Sequence, residues 1–169
     1  MRIMDVPEFK DKTNVLTVLP DTPLDQVIAE MVSYNVGSAV VVKEGKLVGI
    51  FTERDLLVKV SGQKKPIELL KVSEVMTPNP HSAQLEDDVD TSLRRMSQGR
   101  FRHLPIVDEN KHVVGILSQG DFVAYTWSDL MARIGRHTKL SFLTNSQLWL
   151  LILGPLIYLI LIKFIFFVN

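Results

Sequence analysis

The chain predicts an α+β fold, one unit written twice and followed by an apolar C-terminal segment, and three observations carry this reading. Residues Gly49 to Asp55 read GIFTERD, and 66 positions later Gly115 to Asp121 read GILSQGD. Each string is preceded by the same succession of a helical pattern and a short aliphatic run. From Leu148 to Val168 the chain carries a single charge, Lys163, in 21 positions.

The first copy opens at Asp21-Thr22-Pro23, where Thr22 suits the N-cap and Pro23 the first helical position. Leu24, Val27, Ile28, Met31 and Val32 then follow the i, i+3, i+4, i+7, i+8 spacing of a half-buried helix. A buried strand is predicted over Ala39 to Val42, then the polar hairpin Lys43-Glu44-Gly45-Lys46 and a strand over Leu47 to Phe51. In the second copy, offset by 65, Glu86-Asp87-Asp88 opens a helix with Val89, Leu93 and Met96 inward. Strands over Leu104 to Val107 and Val113 to Leu117 flank the hairpin Asp108-Glu109-Asn110-Lys111, which has one extra residue. Each copy then places a hydroxyl, Thr52 or Ser118, three residues before a carboxylate, Asp55 or Asp121. The hydroxyl is expected to cap the following helix, with the carboxylate facing outward from its first turn. The unit is strand, helix, strand, strand, helix, and a period near 65 suits two small domains packed as a pair rather than a solenoid.

Composition excludes several function classes. With no cysteine there is no disulfide, thiol catalysis or Cys-ligated metal, and the four histidines show no ligand spacing. No phosphate loop, nucleophile elbow or HExxH helix is present, so no catalytic constellation is recognisable and no metal is expected. Net charge is zero with basic residues scattered, which argues against nucleic acid as a main partner.

The apolar tail has a reading of its own. As a helix rising about 1.5 Å per residue it reaches about 32 Å, enough for the roughly 30 Å core of a bilayer. A transmembrane anchor over 148–168 is therefore expected, ending one residue before the last. Arg133, Arg136 and Lys139 place the preceding module on the cytoplasmic side, with a bacterial inner membrane as the expected location. The N-terminal MRIMDVPEFKDKTN has no apolar core and is not a secretory signal.

The repeated Thr/Ser-x-x-Asp has two readings. A carboxylate accepts hydrogen bonds from the vicinal hydroxyls of a ribose, and a hydroxyl with backbone N–H groups at a helix start suits phosphate oxygens, so a ribonucleotide fits both. The same pattern is also what a helix start needs for itself, and duplication preserves caps as readily as ligand contacts.

The strings Val36-Gly37-Ser38-Ala39-Val40-Val41-Val42 with GIFTERDLL, then Met76-Thr77-Pro78-Asn79-Pro80, Gly99-Arg100-Phe101-Arg102-His103-Leu104-Pro105-Ile106-Val107 and GILSQGD, resemble tandem cystathionine-β-synthase (CBS) domains, the paired regulatory (Bateman) module. The resemblance covers roughly Asp11 to Trp127, with one departure, Lys12-Thr13-Asn14 standing where the family has Met-Thr. It implies a lead-in at 1–10, copies at 11–66 and 67–130, then a basic juxtamembrane linker at 131–147. It also implies that Asp55 and Asp121 hold ribose hydroxyls, with Thr52 and Ser118 near ribose or phosphate. The backbones of Val36, Gly37, Ser38 and Ala39 and of Arg102, His103, Leu104 and Pro105 would line adenine or the cleft wall, beside Asn79 and Pro80. Arg54, Arg102 and His103 would be the phosphate cations.

The expected function is a non-catalytic, membrane-anchored sensor of adenosine nucleotides, AMP, ADP or ATP, with S-adenosylmethionine as an alternative ligand. It would act as a homodimer and signal to a target protein through the helix from Phe122 to Ile134. A ligand-independent adaptor that recruits a partner to the membrane is the alternative.

Overall fold

Both copies lie within one unit, Met1–Tyr125, of a computed structural model that describes residues 1–6, 9, 12–61, 65–134, 153, 154 and 157. Residues Thr126–Asn169 form a second unit. The first copy runs β1 (Thr17–Val18), α1 (Leu24–Ser33), β2 (Ser38–Lys43), β3 (Lys46–Thr52) and α2 (Glu53–Asp55), which continues as a π-helical turn over Leu56–Val60. A 3-10 turn (Ile67–Leu69), α3 (Val72–Val75) and β4 (Thr77–Pro78) lead to the second copy, α4 (Val89–Gly99), β5 (His103–Val107), β6 (Val113–Ser118) and a helix beginning at 119.

The first sheet has the order β1-β2-β3-β4, with β1 parallel to β2 and the other pairs antiparallel. β5 and β6 pair antiparallel, and Ala83 bridges Ile106 in parallel as Val18 bridges Val41 in the first copy. The connecting segments are exchanged. β4, which precedes the second copy, pairs with β3 of the first, while Lys12, ahead of the first copy, accepts the Ile116 N–H of β6 through its carbonyl at 3.2 Å.

Two apolar clusters result. Leu24, Val27 and Met31 of α1 pack with Ala39, Val41 and Phe51, and α3 closes the cluster with Val72 and Val75. Val89 and Met96 of α4 pack with Leu104, Ile106, Leu117 and Phe122, joined by Ile3, Val6 and Phe9. Phe9 meets Phe122 edge-on at 5.4 Å.

Local chemistry explains where the elements begin and turn. Asp88 caps α4 by accepting the Thr91 N–H, and Glu44 and Gly45, both at positive φ, make the tight turn that the right-handed twist of a hairpin favours. The longer second hairpin is held by Asp108, whose carboxylate accepts the Asn110 and His112 N–H groups at 2.8 Å each. Two expectations are corrected. The Thr22 hydroxyl accepts from Leu19 N–H rather than capping α1, and Val32, at the end of the apolar stripe, is 75% exposed because the helix ends one residue later.

The expected membrane anchor is also corrected. Among the described residues no helix is long and apolar enough to cross a membrane, so the single-pass anchor and the membrane location drawn from it are withdrawn. Of 148–168 only Leu153, Gly154 and Ile157 are described, and the rest of that call, with 135–147 of the expected linker, lies outside the described residues. In the second unit residues 126–134 are helical, with Trp127, Leu130 and Met131 exposed.

Candidate functional site

β3 carries Thr52 to the head of α2, and there the carboxylate of Asp55 turns back rather than outward. The Thr52 N–H and hydroxyl donate to its Oδ2 at 3.0 and 2.7 Å, while the Asp55 N–H donates to the Thr52 hydroxyl at 3.3 Å. This reciprocal box satisfies donors that the first turn leaves open. The Thr77 hydroxyl of β4 donates to Oδ1 at 3.0 Å, and the Lys59 ammonium lies 2.7 Å from the same oxygen. The π-helical turn sets Lys59 there, and the ammonium also donates to the Met76 carbonyl at 3.0 Å. Asp55 is thus buried, at 6% exposure, which corrects the expectation of an outward carboxylate.

The second copy repeats the box with a different cation. Ser118 donates to Asp121 Oδ2 from its N–H at 2.6 Å and its hydroxyl at 2.7 Å, and Lys12 Nζ lies 2.7 Å from Oδ1. Burial pushes the Asp121 carboxyl up, but Lys12 and the two Ser118 donors together outweigh it and hold its pKa below the ordinary value.

Between the copies lies a cavity of about 350 Å³, within the range of small-molecule sites. Its walls bring together Thr52, Arg54 and Asp55 from the first copy, Asn79 and Pro80 from the connection, and Arg102 and His103 from the second. Arg54 donates to the carbonyl of Arg100 at 2.6 Å, so the α4 C-terminus and the head of α2 form one rim. Arg102 lies 3.7 Å from the Glu53 carboxylate, and both side chains are more than half exposed. Burial, and then the charge of Arg102, hold the His103 pKa below its ordinary value.

The remaining expected residues lie elsewhere. Ser38 and Ala39 are buried in β2, and Leu104 and Pro105 in β5. Val36 and Gly37 line a separate hollow of about 380 Å³ beside Glu53. Ser118 and Asp121 are not on the cleft wall. The cleft also contains Ile50, Thr77, His81, Gly99, Arg100 and Phe101, which sequence reasoning did not assign to it. Arg100 ends α4 in the left-handed conformation, φ 54°, and Phe101 stacks on the His81 ring at 4.9 Å. Two arginines flanking an aromatic at a helix end, Arg100-Phe101-Arg102, were the available signal.

Two copies of one α+β unit sharing a cleft define the class, a paired regulatory module. The CBS domain family model matches residues 6–62 and 72–128, and the chain belongs to the CBS domain family. It is 33% identical over 121 residues to the CBS domain-containing protein YhcV of Bacillus subtilis, covering 69% of this chain and 82% of that one. The CBS domain-containing protein CBSCBSPB5 of Arabidopsis thaliana is 40% identical over 107 residues, 63% of this chain. The match spans about a fifth of that relative's length, 20%. Among solved structures, a protein with CBS domains from Burkholderia ambifaria MC40-6 is similar with a TM-score of 0.70 and 27% identity, covering 76% of this chain and 96% of that one. The CBS domain pair of protein MJ0100, in complex with 5'-methylthioadenosine and S-adenosyl-L-methionine, is similar with a TM-score of 0.65 and 26% identity, covering 76% and 98%. The chain is also 33% identical over 110 residues to an inosine-5'-monophosphate dehydrogenase of Thermoplasma acidophilum, of which the match spans 21%, and the matched residues are the CBS part of that protein.

Proposed function

We propose that the module binds an adenosine nucleotide in the cleft at Asp55 and passes the resulting change to a target protein. The observation that carries this reading is the convergence on one cavity of a hydroxyl–carboxylate pair, Thr52 and Asp55, with the guanidinium groups of Arg54, Arg100 and Arg102. The carboxylate suits a ribose diol and the arginines suit phosphate, because a planar guanidinium donates two parallel hydrogen bonds to it. The Phe101–His81 stack offers a flat apolar face of the kind that purines adopt. The adenosine ligands of the MJ0100 pair support the same class of ligand. Homodimerisation of the module belongs to this proposal.

Titration of the chain with AMP, ADP, ATP and S-adenosylmethionine by calorimetry tests it, alongside Asp55→Asn and Arg102→Ala. Saturable binding weakened by both substitutions in folded protein supports the reading, and absence of binding by all four ligands sinks it. A second reading is favoured by one observation, that Asp55 already has Thr52, Thr77 and Lys59 as partners. On that reading the motif is a cap alone and the pair is a ligand-independent adaptor, which the same titration decides.

A further inference from the structure

We infer that the two copies are unequal, with one anion-binding cleft at Asp55 and no matching guanidinium groups at the corresponding position beside Asp121. This rests on the nucleotide reading of the Asp55 cleft.

The correspondence between copies is fixed by backbone pairing. Ser38 pairs with Thr52 as His103 pairs with Ser118, and the Glu53 N–H donates to the Gly37 carbonyl at 3.2 Å as the Gln119 N–H donates to that of Arg102 at 2.9 Å. Asn35 and Arg100 share the left-handed conformation, at φ 52° and 54°. Through this register Arg100 corresponds to Asn35, Arg102 to Gly37 and Arg54 to Gly120. Each guanidinium of the first cleft is replaced by an uncharged residue.

Lys12 stands where Thr77 stands in the other copy. The Thr77 hydroxyl reaches Asp55 Oδ1 at 3.0 Å, and the Lys12 ammonium reaches Asp121 Oδ1 at 2.7 Å. In both copies an ammonium lies 2.7 Å from Oδ1, Lys59 at Asp55 and Lys12 at Asp121, so the ion pair does not tell the two positions apart and the difference lies in the guanidinium groups. The hollow on this side, about 260 Å³, is lined by Asn14, Tyr34 and Val36, has Glu30 in its wall and does not reach Ser118 or Asp121. A phosphorylated ligand would meet Asn35, Gly37 and Gly120, with the Glu30 carboxylate in the wall of the hollow, where the first cleft presents arginines.

The test uses the 169-residue chain with AMP and ATP, by calorimetry and by amide NMR shifts. One equivalent per chain is expected, with shifts at 52–55 and 99–103 and none at 35–38 or 118–121. Two equivalents, or shifts at both positions, overturn the inference while leaving the nucleotide reading intact. Binding of neither ligand removes that reading and this inference with it. A transplant of the missing cations, Gly37→Arg with Gly120→Arg, is expected to raise the stoichiometry from one to two. A folded transplant that still binds one equivalent overturns the assignment of the asymmetry to these residues.

Discussion

Asp55→Ala should destabilise the protein before any ligand is considered, and the structure sets the size of the loss. The substitution removes the acceptor for the Thr52 N–H and hydroxyl, the Thr77 hydroxyl and the Lys59 ammonium. Loss of such a helix cap costs about 1 kcal/mol. Removing a buried acceptor that serves a charged network costs about another 1.5–3 kcal/mol. The Lys59 pair itself adds little, because that side chain is 37% exposed and retains the Met76 carbonyl, which keeps its share near the roughly 0.5–1 kcal/mol of surface pairs. A loss of about 3 kcal/mol is expected overall. With a urea slope of about 1–3 kcal/mol per molar, the midpoint should fall by roughly 1–3 M in a far-UV dichroism titration. A midpoint within about 0.3 M of wild type at unchanged slope would refute the reasoning, since the box would then contribute nothing that water does not replace.

Other outcomes follow from the same geometry. Arg102→Ala, at an exposed cleft position, should leave the midpoint within about 0.5 kcal/mol of wild type yet weaken nucleotide binding by about tenfold or more, an effect that added salt reduces. For His103 the folded pKa lies below its ordinary 6.5, so its stabilising contribution is present above that value and is lost as pH falls through it. A bound phosphate raises that pKa again, so binding should take up protons and tighten as pH falls from about 8 to about 6; calorimetry in buffers of different ionisation enthalpy measures the uptake, and none would count against a phosphate beside His103. Phe51→Ala, at a fully buried position in the first cluster, should cost about 3–5 kcal/mol in the same urea titration without touching a cleft residue.

Much of this molecule was readable as pattern and little of it as contact. The longer strands, the hairpins and helices α1 and α4 follow from periodicities of two and 3.6 and from turn residues such as Gly45, because those signals are local. The Thr52 and Ser118 caps were legible for the same reason. What periodicity could not carry is the exchange of connecting segments, which places Lys12 on the second sheet and Thr77 on the first, and with it the partner of each aspartate. The outward direction expected of Asp55 failed on this point, because the Lys59 and Thr77 contacts that draw its carboxylate inward depend on a π-helical turn and a neighbouring strand. The tail was read by hydropathy alone, and the described residues hold no membrane-crossing helix.

The two readings of Asp55, cap and ligand contact, are not exclusive, and their coexistence constrains the energetics. A carboxylate already holding Thr52, Thr77 and Lys59 gains little by exchanging those donors for ribose hydroxyls, because each new hydrogen bond replaces one of similar strength. Net affinity must then come from groups whose alternative partner is weaker. Arg102 is such a group, since its pairing with Glu53 is long at 3.7 Å and more than half exposed on both sides. On the proposed nucleotide reading, the phosphate end then carries the free energy of recognition while the ribose end supplies orientation. On the same reading, exchange at Asp55 would loosen the Lys59 and Thr77 contacts that tie α2 and its π-helical turn to β4, a physical route from cleft occupancy to the connection between the copies.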